Sequence, residues 1–225
     1  MRTDEPAGVL FDVDGTLVDT TYLHTVCWWE ALRQTDQPVP MAMVHRSIGM
    51  GSDKLLDHLL GPERDRDADT KLRDAHDTLY AEYWERLTPL PGAVDLLRAC
   101  AERGLRVVLA TSASESEVDA LLRALGADDV IDTVTSSADA KQSKPAPDIL
   151  VAALEQSGLA AERVVFVGDS VWDVVAAGAV HIPCVGLTCG GTSRGELAGA
   201  GAVAVYDDPA ALLGELANSP LTRPR

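Results

Sequence analysis

Asp12 and Asp14 stand two residues apart at the end of a short apolar run, Gly8 to Val13, that reads GVLFDV. If extended geometry holds to the end of that run, both carboxylates point the same way and meet at one place. Two like charges that close raise each other's proton affinity unless a cation lies between them. Asp169 follows a second apolar run, VVFVG, and supplies a third acid, with Asp173 shortly after it. Any one of these acids could simply cap the helix that follows it. All of them at the ends of successive apolar runs point instead to a shared hard cation with oxygen ligands. Mg2+ suits such a site, because it takes few protein ligands and keeps positions for water and substrate oxygens.

Two further features supply what a phosphate would need. Thr111 and Ser112 close the run LRVVLATS, and Lys144 lies in the loop SKPAPD. Hydroxyls beside backbone N–H groups at a helix start hold phosphate oxygens, and a lysine neutralises charge on a group in transfer. Alone, the hydroxyl pair would be a helix cap and the lysine a solvated side chain; their positions relative to the acids set them apart.

The elements that must position these residues can be read from the periodicity. After Pro89-Leu90-Pro91-Gly92, apolar runs and helical patterns alternate: AVDLLRACAERG then LRVVLATS, ESEVDALLRALG then DVIDTVTS, PDILVAALEQSG then RVVFVGDS, VWDVVAAGA then CVGLT, and TSRGELAGAG then AVAVYDD. Short connections between alternating strands and helices imply a parallel sheet with helices on both faces, an α/β Rossmann-like fold. Ligands of such sheets sit beyond the carboxyl ends of the strands, where the residues above fall. Between Thr20 and about Leu87 the pattern is helical throughout, broken at Pro38, Pro40, Gly49, Gly51, Gly61 and Pro62, as expected of a helical unit inserted after the first strand. The ends, MRTDEP and SPLTRPR, read as frayed tails.

Composition narrows the partners. With 46% apolar residues in 225, the chain can bury a full core. Lys and Arg number 19 against 35 Asp and Glu, a formal net charge of -16, which repels a nucleic-acid backbone and leaves a small phosphorylated molecule as the expected substrate. No segment approaches the roughly 18 apolar residues of a membrane span, and the N-terminus lacks the pattern of a signal peptide, so the cytoplasm is the expected location. Cys27, Cys100, Cys184 and Cys189 lack metal-ligand spacing and read as reduced packing thiols. Nothing in the composition speaks to oligomeric state.

The run Asp12-Val13-Asp14-Gly15-Thr16-Leu17-Val18-Asp19, then Thr111/Ser112, then Ser143-Lys144-Pro145, then Gly168-Asp169-Ser170-Val171-Trp172-Asp173 resembles, in order and spacing, the motifs of the haloacid dehalogenase-like superfamily. The resemblance implies that Asp12 is a nucleophile that becomes an aspartyl phosphate, and that Asp14 is the general acid and base. It implies Mg2+ held by the Asp12 and Asp169 carboxylates and the backbone carbonyl of Asp14, with Asp173 in support. Thr111, weighted ahead of Ser112, and Lys144 would hold the phosphoryl oxygens.

The helical insertion resembles the cap of the subgroup that contains phosphoglycolate phosphatases and β-phosphoglucomutases. By that likeness residues 1–18 and 89–225 form a catalytic core, residues 19–88 form a cap that closes over substrate, and the activity is hydrolysis of a small phosphorylated metabolite. Thr20 and His24 match hinge positions that place the catalytic acid in the mutase branch, although His24 reads equally as a helix residue packed under the cap. The loop Arg46 to Lys54 is the expected contact for the leaving group, with Gly51 and Ser52 in it. Mutases carry an arginine where this chain has Ser52, with Arg46 or Lys54 as substitutes, so mutase activity ranks behind hydrolysis. Asp14 argues against dehalogenase and phosphonate-hydrolase chemistry, and the length and the insertion argue against a phospho-receiver module. Trp28, Trp29 and Trp84 either line the cap pocket or pack, helical spacing favouring packing, and Trp172 reads as packing beneath the site.

Overall fold

Five apolar runs of the sequence, together with one shorter segment, form a parallel six-stranded sheet in a computed structural model that describes residues 6–222. The strands are β1 (Gly8–Phe11), β2 (Arg106–Ala110), β3 (Thr133–Thr135), β4 (Val164–Gly168), β5 (Cys184–Leu187) and β6 (Ala204–Tyr206), in the order β3-β2-β1-β4-β5-β6. Every pairing is parallel. Both faces are covered, so the central strands are continuous apolar runs whose residues alternate between two cores. Val9, Phe11, Val107, Leu109, Val165 and Val167 face one side, and Leu10, Val108, Ala110, Val164 and Phe166 the other.

The first face packs against α5 (Ala93–Glu102), α6 (Glu115–Leu125) and α10 (Pro209–Gly214), the second against α7 (Asp148–Ser157), α8 (Val171–Ala179) and α9 (Arg194–Ala200). Between β1 and β2 the chain makes α1 (Thr21–Gln34), α2 (Met41–Ser47), α3 (Ser52–Leu60) and α4 (Asp69–Ala81). These four have a core of their own, formed by Trp28, Leu32, Val44, Leu55, Leu56 and Leu72. The chain leaves and re-enters the α/β body side by side: Asp19 N–H donates to Thr88 O at 3.1 Å, and Leu90 N–H to Leu17 O at 2.8 Å. Among the described residues no helix is long and apolar enough to cross a membrane.

The structure corrects two expectations. The tail SPLTRPR is packed as far as it is described: Ser219 and Leu221 are fully buried, and Leu221 joins the main core below α10. Burying a leucine contributes roughly 1.5–3 kcal/mol, and hydrogen bonds of Ser219 and Thr222 add to it in holding the short 3-10 turn in place. Residues 1–5 and 223–225, the rest of the expected tails, lie outside the described residues. The segment DVIDTVTS gives a strand of only three residues. Asp132 ends the preceding turn by accepting Val107 N–H on Oδ2 at 2.8 Å while its own N–H donates to Val107 O, which pins the edge before pairing with β2 begins. The four cysteines are unpaired, as expected, and all but Cys189 are buried.

Candidate active site

The strand order reverses between β1 and β4, the point at which an open parallel sheet leaves a crevice at its carboxyl edge. Phe11 pairs with Val167, and Asp12 N–H extends the ladder to Val167 O at 2.9 Å, so Asp12 and Asp169 emerge side by side. Gly15, at φ +76, turns the chain back; a Cβ there would sit 2.0 Å from Thr21 Oγ1 and 2.7 Å from Asp169 Oδ2. Gly190 leaves room on the other side, where a Cβ would fall 1.7 Å from the same oxygen. Thr16, to which the sequence assigns no role, ties the two acids together: its hydroxyl lies 3.3 Å from Asp12 Oδ2 and 3.1 Å from Asp169 Oδ1.

Carboxylate oxygens of Asp12, Asp169 and Asp173 lie within 4.8 Å of one another, and all three residues are buried. Hard oxygen donors this close, in a cradle two glycines keep open, suit a small divalent cation. Lys144, 1% exposed, reaches in from its loop to contact Asp12 Oδ1 closely and Asp173 Oδ1 at 2.8 Å. Burial pushes the Asp12 carboxyl up to about 7; Lys144 opposes this, while Asp173 and Asp14 add to it. Burial also lifts Asp169 well above the usual carboxylate range, with Asp173 and Asp12 adding to the effect. One lysine does not balance three acids, and an added dication would restore the ionised nucleophile. Burial works against the charge on Lys144, but Asp12 and Asp173 outweigh it and hold the lysine protonated.

Asp14 has different neighbours. Its Oδ1 accepts from Thr20 Oγ1 at 2.8 Å and faces His24 Nε2 at 3.3 Å, and its Oδ2 accepts from Thr111 Oγ1 at 3.3 Å. Burial favours the neutral acid, yet the His24 contact and the two hydroxyls keep Asp14 below the ordinary carboxylate range. His24 Nε2 also lies 3.3 Å from Glu117 Oε1. Burial lowers the proton affinity of His24, but Asp14 and Glu117 outweigh it and raise the imidazole to about 10.

These groups open into a cavity of about 410 Å³ lying between the strand ends and the inserted helices. Asp12, Asp14, Lys144 and His24 line it, as do Gly51 and Ser52, and so does Ser112, whereas Thr111 is buried with its hydroxyl turned to Asp14. Arg46 lies outside, paired with Glu196 on α9, and Trp172 Nε1 donates to its carbonyl at 3.0 Å. Lys54 is not in the cavity wall, whereas Trp28 is. Trp29 and Trp84 pack against hydrophobic clusters. Further bonds seat the inserted helices on the strand ends: His45 with Gly190 O at 3.0 Å, Gly51 N–H to Lys144 O at 3.4 Å, and Ser143 Oγ to Asp53.

Sequence reasoning missed Glu117, Arg73, His76 and Asp77, all in the cavity wall. Glu117 carried a signal, as the fourth residue of a Ser-x-x-Glu box. The other three share one face of α4 by their spacing but lie far in sequence from any motif.

Comparison with known proteins identifies the family. The model of the haloacid dehalogenase-like hydrolase family matches residues 6–181. A phosphoglycolate phosphatase of Rhodospirillum rubrum is 36% identical over 217 residues, 92% of this chain and 89% of that protein. The crystal structure of a hydrolase from Pseudomonas syringae superposes with a TM-score of 0.89 at 34% identity, covering 94% of this chain and 98% of the other. A β-phosphoglucomutase from Clostridium difficile, 19% identical, shares the fold with a TM-score of 0.81 over 95% of this chain and 96% of its own. The chain therefore belongs to the haloacid dehalogenase-like hydrolases.

Proposed function

We propose that this protein is a magnesium-dependent phosphatase acting on a small phosphorylated metabolite of the phosphoglycolate or sugar-phosphate type. The observation that carries this reading is the convergence of Asp12, Asp169 and Asp173 around Lys144 on the strand-end side of the cavity, where Asp12 and Lys144 line it. Membership of the hydrolase family and the relative named as a phosphoglycolate phosphatase support it. Residues 1–18 and 89–225 would act as the catalytic core and residues 19–88 as a cap. The unpaired thiols accord with a reducing compartment, the cytoplasm.

The carboxylates of Asp12 and Asp169 and the backbone carbonyl of Asp14 would hold Mg2+, with Asp173 in support. When bound, the ion neutralises the acids and offsets phosphate charge. Asp12 attacks phosphorus through one carboxylate oxygen, and the bond from phosphorus to the leaving oxygen breaks as Asp14 gives that oxygen a proton. A phosphate dianion arriving beside Asp14 raises its proton affinity, which readies a carboxyl that is ionised in the free site. Water then attacks the aspartyl phosphate, Asp14 takes its proton, and inorganic phosphate leaves with Asp12 restored. Lys144 and the Ser112 hydroxyl steady the phosphoryl oxygens; Thr111 and Thr20 fix Asp14.

Hydrolysis is favoured over phosphoryl transfer between sugar positions because Ser52, not an arginine, lines the cavity at the loop position where mutases bind a second phosphate. The test is phosphate release from p-nitrophenyl phosphate, phosphoglycolate and sugar phosphates, with conversion of β-glucose 1-phosphate as the mutase assay. Mg2+-dependent release that vanishes in Asp12→Asn supports the reading. Turnover indifferent to a chelator, or undiminished in Asp12→Asn, refutes it.

A further inference from the structure

The charged groups in the cavity wall are nearly all matched. Lys144 meets Asp12 and Asp173, His24 meets Asp14 and Glu117, His76 meets Asp77, and Asp53 accepts from Ser143. Among the described residues, Arg73 and Lys141 are the cations of this wall with no carboxylate partner. Lys141 is exposed at the rim, where a solvated ammonium is ordinary; Arg73 is half-buried on α4.

Among the described residues Arg73 has no carboxylate partner, although its helix offers two. Asp69 and Asp77 stand four residues to either side, the spacing at which helical side chains meet. Asp69 is taken by Arg64, whose Nε and Nη2 reach its two oxygens at 2.8 and 2.7 Å. Asp77 accepts from His76 Nδ1 at 2.8 Å. In a chain with 35 acids to 19 lysines and arginines, a half-buried guanidinium with both neighbouring carboxylates engaged elsewhere is left to face the cavity. The lining part of the leaving-group loop, Ile48 to Asp53, contains no cation, and Arg46 is held outside by Glu196.

We propose that Arg73 binds a second anionic group, a carboxylate or a phosphate, on the leaving-group side of the substrate, and so selects phosphomonoesters charged at both ends. This rests on the phosphatase reading above and deepens it. A guanidinium presents a planar fork of donors that matches either anion with two hydrogen bonds, whereas a neutral leaving group would leave the fork unused and its dehydration uncompensated. The cavity is of a size to hold a small ester with its phosphate at Lys144 and Ser112 and its other end at the α4 wall.

The measurement is kcat/KM for phosphoglycolate, for a short-chain bisphosphate and for p-nitrophenyl phosphate, in the wild type, Arg73→Gln, Arg73→Lys and Lys141→Gln. Each variant is first checked for an unchanged melting temperature. The proposal expects the ratio of a doubly anionic ester to p-nitrophenyl phosphate to fall about tenfold or more in Arg73→Gln, mainly through KM, and to recover in part in Arg73→Lys. Which anionic ester loses more tells carboxylate from phosphate. An unchanged ratio, a proportional loss on all esters, or a fall confined to Lys141→Gln overturns the role of Arg73 while leaving the phosphatase reading intact. A wild type that hydrolyses none of them overturns both.

Discussion

His24 Nδ1 and His76 Nε2 lie 3.1 Å apart, joining the helix that begins beside Asp14 to the last long helix of the insertion. With His24 protonated, its Nε2–H faces Asp14 and Glu117 and its Nδ1–H donates to His76. His76 must then be neutral, accepting on Nε2 and donating from Nδ1 to Asp77 at 2.8 Å. The pattern of donors agrees with the electrostatics: burial lowers His76 to about 4, with the His24 charge adding to that and Asp77 opposing it. Tyr80 stacks on both rings of the pair, and Trp28 on His76.

A pH dependence of stability follows from His76. Its folded value of about 4 lies below the ordinary 6.5, so on acidification the unfolded chain takes up the proton first. The stability that the neutral ring confers is complete above pH 6.5 and lost as pH falls from there towards 4, by up to ~3 kcal/mol. His24, raised to about 10, stays charged in the folded chain throughout that window; its own contribution is complete only well below 6.5 and is lost as pH rises through 10, a slope that wild type and His76→Gln share. Melting temperatures taken between pH 7 and 4.5 should therefore fall less steeply in His76→Gln than in the wild type. Parallel curves would mean that His76 does not titrate with folding.

Mg2+ should stabilise the fold as well as support turnover. An ion at about a hundred times its dissociation constant adds roughly 2.7 kcal/mol, worth about 5–10 °C in a domain of this size. In Asp169→Asn the upshift should vanish. The metal-free variant should also melt above the metal-free wild type, because one of three mutually repelling acids has gone. Calorimetry with Mg2+ or with chelator reads both effects, and an equal upshift in the variant would place the ion elsewhere.

Lys144 is the cation already inside the cluster, and its loss leaves Asp12 and Asp173 facing each other in a buried site. Removing one partner of a buried pair costs about 3–5 kcal/mol. Lys144→Met, which keeps the length of the stem, should be destabilised by that order in chelator, and Mg2+ should recover part of the loss while turnover stays low. Urea denaturation with and without the ion measures it; stability equal to wild type in chelator would show that the acids are already protonated.

Much of this site was legible because parallel sheets put chemistry at strand ends, and Asp12, Asp14, Lys144 and Asp169 all follow apolar runs or join them. Thr111 and Ser112 were found as a pair, but sequence cannot say which of two adjacent side chains turns inward to Asp14 and which faces the cavity. Thr20 and His24 came only through family likeness, since their partner Asp14 lies several residues back across a turn. Arg73 and His76 were out of reach because helical periodicity reports the apolar face of α4, while the cavity-facing edge depends on how that helix seats against α1. The C-terminal segment was misread for a related reason: a lone Leu221 between prolines carries no period, and only the tertiary core gives it a place.

Two helix caps hide the last and least legible feature. Asp173 accepts Ser170 N–H and Oγ–H on Oδ2, at 3.0 and 2.7 Å, and turns Oδ1 to Lys144. Glu117 does the same on α6, accepting Ser114 N–H on Oε2 at 3.3 Å and turning Oε1 to His24. A capping box is visible in sequence, but the use of the spare oxygen is not. Glu117→Gln keeps an acceptor for the cap and removes the charge that His24 faces, so its stability should stay within about 1 kcal/mol of wild type. Activity should drop about tenfold in kcat with little change in KM, because a less firmly held His24 loosens Asp14 and not the phosphate site. Ser114→Ala serves as the counterpart, weakening the cap while sparing the charge. If both variants lost the same kcat, Glu117 would matter to catalysis only as a cap, and the pairing with His24 would be incidental to the chemistry at Asp14.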